Sequence, residues 1–126
     1  MEAAVNHNKF PLVDLAALQA LEDSLQGQKT LSANFVCSFV QMWPQRIERL
    51  TQDVSHGDWA NAADAALSIH SSSSMAGSPR LSALSAEIAH LLTIGHYLKA
   101  ASMLEELNHC GKQTMDQLSL SYLRQD

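Results

Sequence analysis

Among the residues able to do chemistry, the six histidines come first. A neutral imidazole offers a lone pair to a metal, a proton or an electrophile near neutral pH. A metal site needs further ligands at set spacings. His90 and His96 have no cysteine or carboxylate at such a spacing, and no His-x-x-x-His pair occurs, so neither a metal nor another cofactor is expected. Serine, histidine and aspartate are all present, but the G-x-S-x-G turn that exposes a serine nucleophile is absent, so hydrolase chemistry is not expected and the chain reads as a non-enzyme. Cys37, between Val36 and Ser38, reads as a small apolar filler rather than a reactive thiol. His70 remains, within DWANAADAALSIHSSSSMAG, residues 58–77. A single histidine on a helix does nothing without positioned neighbours, so the surrounding elements decide its role.

The chain of 126 residues suits one domain, which on folding removes a little over about 60% of its surface from water. Two cysteines and no charged-then-apolar leader lead to the expectation of a cytoplasmic protein without disulfides. The longest apolar run, IAHLLTIGHYL, is interrupted by His90, Gly95 and His96, and falls short of the roughly 18 residues a membrane span needs. A net charge of -5, with eight basic residues scattered singly, offers no stripe to follow a phosphate backbone, so nucleic acid is not an expected partner.

Helical periodicity runs through most of the sequence. Residues 1–10 show no period and are expected to form a flexible arm, leaving 11–126 as the single domain. Leu15, Leu18 and Leu21 follow Asp14, a cap residue, and predict a short helix ending near Gly27. Phe35, Phe39, Trp43, Ile47, Leu50 and Val54 predict a long amphipathic helix kinked at Pro44. Gly57 and Asp58 close it and cap the next, whose inner stripe is Trp59, Ala62, Ala63, Ala66, Ile69 and Ser73, with Leu67, His70, Ser71 and Ser74 on an adjacent line. The four serines at 71–74 also allow a linker reading, but small side chains at a helix crossing fit the pattern as well. Gly77, Ser78 and Pro79 start a helix carrying Leu81, Leu84, Ile88, Leu91 and Leu92. The last is predicted from His96 through Tyr97, Met103, Leu104, Leu107, Met115 and Leu118 to Tyr122, with a bend at Gly111. No segment alternates with period two. The expected fold is all-α: an up-and-down antiparallel four-helix bundle with a short additional N-terminal helix.

This order of elements, with F-x-x-x-F before a mid-helix proline, then G-D-W, an alanine-rich helix and G-x-x-x-L, resembles the histidine-containing phosphotransfer (HPt) domain of bacterial phosphorelays. The resemblance runs from about Phe10 to Leu123. The family's central segment opens with Asp-Trp and continues as Ala-His-x-Leu-Lys-Gly, a run of small residues, Gly, and a leucine four residues on. Its acceptor histidine typically lies eight residues after the tryptophan and ten before the glycine. Counting from Trp59 and back from Gly77 both lead to Leu67. In that register Ala66 matches alanine, Ile69 replaces leucine, His70 replaces lysine and Ser71 replaces glycine.

The resemblance therefore implies an HPt-like signalling domain without its acceptor histidine. Leucine has no lone pair for a phosphoryl group, and His70 is only partly charged at neutral pH where the family lysine is fully so. The resemblance also implies partners: the receiver domain of a response regulator, a histidine kinase, or both, docked on the line of Leu67, His70, Ser71 and Ser74. No second large apolar stripe is evident, so a monomer is expected. One alternative is an active phosphocarrier with His70 as phosphoacceptor. His70 is displaced from position 67 by about 4.5 Å along the helix axis and about 60° around it, where an error of about 1 Å can cost about a hundredfold in rate. The other alternative is a helical adaptor unrelated to phosphorelays.

Overall fold

The computed structural model of the chain describes residues 7–123. The helices are α1 (Leu15–Ser24), α2 (Lys29–Ser55), α3 (Trp59–Met75), α4 (Pro79–Thr93), α5 (Tyr97–Ser102) and α6 (Leu104–Leu118). A 3-10 turn at His7–Lys9 precedes them and a π-helical turn at Ser119–Leu123 ends them. No strand occurs among the described residues. Contacts run α2 to α3, α3 to α4, α4 to α6 and α6 back to α2, which closes a four-helix bundle, with α1 laid against α2 and α3. The all-α bundle with a short leading helix is thus the observed architecture.

Local chemistry explains most boundaries. Asp14 caps α1 by accepting from the amides of Ala16 (3.0 Å) and Ala17 (3.4 Å). α2 runs unbroken through Pro44, which stands exposed on the helix. Its buried stripe is Ser32, Val36, Phe39, Trp43, Leu50 and Val54, so Val36 takes a core place while Phe35 and Ile47 lie only partly buried at its margin. Asp58 and Ser78 sit at the expected cap positions, yet neither side chain caps its helix. Asp58 Oδ2 instead accepts from Asn61 Nδ2 (2.7 Å), and Ser78 Oγ donates to the Ala76 carbonyl (3.2 Å).

Two expectations change. The final helix is not continuous: Met103, at φ -91 and ψ -8, ends α5 and begins α6. Its amide bonds back to the Ala100 carbonyl (3.1 Å) in a tightened turn, while Tyr97 stacks on Trp59 at 4.1 Å and ties α5 to the start of α3. Gly111, within α6, marks a contact: a Cβ there would fall 1.9 Å from Trp43 Cζ2, so only glycine lets α6 seat against the indole of α2. The arm expected over residues 1–10 lies outside the described residues as far as residue 6. Residues 7–10 pack on α4, with His7 buried and its Nε2 2.5 Å from Glu87 Oε2. Arg80 Nε donates to the Phe10 carbonyl (2.8 Å) and secures the same segment.

The C-terminal turn is fixed by Tyr122. Its hydroxyl donates to Glu22 Oε1 (2.7 Å) and lies 2.6 Å from Ser32 Oγ, joining the chain's end to α1 and α2. Burial pushes this hydroxyl above the ordinary tyrosine range; the Ser32 hydrogen bond works against that and Glu22 adds to it. The folded protein then keeps the proton at a pH where the unfolded chain, with a pKa of about 10, releases it. Stability falls as pH rises past that value.

Two outcomes follow. In urea unfolding, Gly111→Ala should cost about 3 kcal/mol through overpacking against Trp43. Gly27→Ala, whose added Cβ meets nothing within 4 Å, should cost about 1 kcal/mol for its left-handed φ alone; equal losses would contradict the Trp43 contact. Tyr122→Phe should flatten the loss of stability as pH rises above about 10, and an unchanged slope would show that Tyr122 does not carry it.

Candidate functional site

α3 carries every residue singled out as a site. Its inner side is small and closely packed: Ala62, Ala65, Ala66, Ile69 and Ser73 are buried, and Ser73 Oγ turns back to the Ile69 carbonyl (2.5 Å), so no polar group is left unpaired against α4. With that side fixed, helical geometry turns Leu67 outward, where it remains 48% exposed. Ser71 and Ser74 are also exposed, whereas His70 is half-buried on the side toward α4.

His70 is held in place. Its Nδ1 lies 3.0 Å from the Ser82 carbonyl oxygen and 2.9 Å from Ser82 Oγ. A carbonyl can only accept, so Nδ1 carries the hydrogen, and in the neutral ring the lone pair belongs to Nε2. Nε2 has no protein partner among the described residues. Ser82 Oγ also lies 2.5 Å from Ser74 Oγ, completing a link from His70 through α4 back to the next turn of α3. The structure thus joins His70 and Ser74 through Ser82 and leaves Leu67 and Ser71 outside that link. Ser82 had no signature in the sequence, because its role comes from α4 crossing α3 twelve residues later in the chain.

Beside this link a groove of about 370 Å³ is lined by Phe10, Ala17, Ser74, Ser82 and Ala83, among others. It lies between the N-terminal segment, α1 and the turn from α3 to α4. That turn is tight for a reason: Gly77 has φ +62, and a Cβ there would fall 2.8 Å from Leu18 Cγ and 3.0 Å from the Asp14 carbonyl oxygen. The Asp14 amide donates to the Gly77 carbonyl (2.8 Å), so α1 is pinned to the same corner.

Other chemistry is not assembled. Among the described residues no three His, Cys, Asp or Glu side chains are grouped so that they could hold a metal ion. The buried Cys110 thiol is pushed up by desolvation, which keeps it protonated and weakly nucleophilic. No helix among the described residues is long and apolar enough to cross a membrane.

Residues 34–120, well over half of the chain and all of α3 and α4, match the family model described as Hpt domain. The chain belongs to the Hpt domain family. Hpt domains are helical phosphocarrier modules of two-component systems and interact with histidine kinases and response regulators. No curated protein and no solved structure matched the chain. On its α3 the outward position that the tryptophan and glycine spacings point to holds Leu67, and the imidazole on that helix, His70, is tied to α4.

Histidine nitrogen shifts test the geometry. Neutral His70 should be the Nδ1–H tautomer, and it should stay so in Ser82→Ala, because the carbonyl acceptor remains while stability drops by about 1 kcal/mol. An Nε2–H tautomer in the wild-type chain would contradict the arrangement.

Proposed function

We propose that this Hpt domain acts by docking on a receiver domain or histidine kinase without accepting phosphate itself. Leu67 stands at the acceptor-equivalent position and, with His70, Ser71 and Ser74, forms the surface the partner meets. The observation that carries this reading is the 48% exposed Leu67 on a turn of α3 whose opposite side, Ala66 and Ile69, is fully buried. A leucine held there offers no nucleophile but adds apolar area, and a leucine side chain is worth about 1.5–3 kcal/mol when fully buried. The neighbouring serines add little bulk, so a partner surface can approach the helix closely. Occupying the face that a working Hpt domain would use makes the chain a competitor in a phosphorelay.

One observation favours a second reading. His70 has an oriented ring and a free Nε2, which is what an acceptor needs. In that reading Nε2 attacks the phosphorus of a partner's aspartyl phosphate; the new N–P bond forms as the acyl-phosphate P–O bond breaks and the carboxylate leaves. The half-buried position of His70, one turn from Leu67, weighs against in-line approach.

Incubation with a phosphorylated receiver domain decides between them. The docking reading predicts no acid-labile phosphate on the wild-type chain, and its appearance on the triple variant Leu67→His, His70→Lys, Ser71→Gly. Label on the wild-type chain that disappears in His70→Ala would replace docking with phosphate transfer through His70.

A further inference from the structure

The eight basic residues are scattered singly along the sequence, but folding brings two of them to one place. Met42, Arg46, Arg49 and Asp53 follow one another at spacings of four, three and four on α2, a single stripe of that helix. Met42, Arg46 and Arg49, with Gln45 on α2 and Ala65 and Ser68 on α3, line a groove of about 290 Å³ between the two helices. Arg46 Nη1 donates to Ser68 Oγ (2.8 Å), which draws the guanidinium across from α2 and holds it against α3. Its Nε has no acceptor among the described residues. Arg49 Nε lies 3.8 Å from Asp53 Oδ2, beyond hydrogen-bond length, with 60% of the arginine side chain exposed. Both guanidiniums therefore keep donors uncommitted. Ser68 directly follows Leu67 and Met42 is 43% exposed, so an apolar and a cationic surface adjoin on the outer side of α3. Asp64, exposed one turn before Ser68, is the acidic residue on that stretch of α3.

We infer that the groove between α2 and α3 at Arg46 and Arg49 recognises acidic side chains of the protein that docks on Leu67. This rests on the docking reading and adds the partner's chemistry: a surface with an apolar centre flanked by carboxylates. Guanidinium is the cation best shaped for that task, because its fork of N–H donors matches a carboxylate in two parallel hydrogen bonds. On a chain of net charge -5 such a site sets orientation and speeds encounter more than it adds affinity. It also supplies a fixed positive charge that does not depend on pH.

Two measurements test it on the full chain. Titrated with a hexaglutamate peptide at low salt, the ¹⁵N-labelled protein should shift at the Arg46 and Arg49 side chains and at the Ser68 amide. Those shifts should vanish at high salt and in Arg46→Gln/Arg49→Gln; shifts confined to the lysines would overturn the inference. With a receiver domain that binds the wild-type chain, the double variant should lower the association rate about tenfold and flatten its salt dependence. Arg46→Lys should keep most of the salt dependence. If Leu67→Asp weakens binding while the double arginine variant changes neither rate nor salt dependence, the groove inference falls and the docking reading stands. If no receiver domain or kinase binds, the docking reading falls and the partner role of the groove falls with it, whatever the peptide result.

Discussion

The outer face of α3 depends on how closely the chain folds back on itself at Gly77. A left-handed residue is needed there, and any Cβ would collide with Leu18 of α1. With glycine in place, α3 and α4 lie against each other, and this is the most extensive contact between helices in the bundle. The same corner brings Ser82 within reach of His70 and Ser74. It also leaves Leu67 nowhere to turn but outward, since the side of the helix behind it is filled.

That packing separates two properties that phosphotransfer would combine. An exposed position on the face carries a leucine, and the imidazole one turn on is constrained by a backbone carbonyl on another helix. Such a face presents shape and apolar area, while the positive charge near it comes from Arg46 and Arg49 on α2. An Hpt domain of this build is suited to recognition. The buried hydroxyls of Ser73, Ser85 and Thr114 are satisfied locally by carbonyls one turn back on their own helices.

Much of this was readable in the residues. Asp14, Gly57, Gly77 and Pro79 punctuate the helices where their backbone preferences require, and the leucines of α4 fall inside as their spacing predicts. What escaped was set by tertiary contact. The break at Met103 carries no proline or glycine to announce it, and the short α5 before it is tied to α3 by the stacking of Tyr97 on Trp59. The contact at Gly111 is another, because nothing local announces an indole seated on its Cα. Residues 7–10 have no period of their own and are held by Arg80 and Glu87 of α4. In the site, the tryptophan and glycine spacings drew attention to Leu67 and His70. Ser82 and the pairing of Arg46 with Ser68 could not be read, because each joins helices whose relative rotation the sequence pattern leaves open.

On the docking reading, the domain occupies a partner's phosphotransfer surface without taking phosphate. The most direct measurement is a competition: transfer from a phosphorylated receiver domain to an active Hpt domain, followed with increasing amounts of this chain. Transfer should slow as the chain is added, Leu67→Asp should relieve the slowing, and no phosphate should appear on the chain. Unchanged transfer at saturating amounts of the chain, or phosphate accumulating on His70, would contradict it.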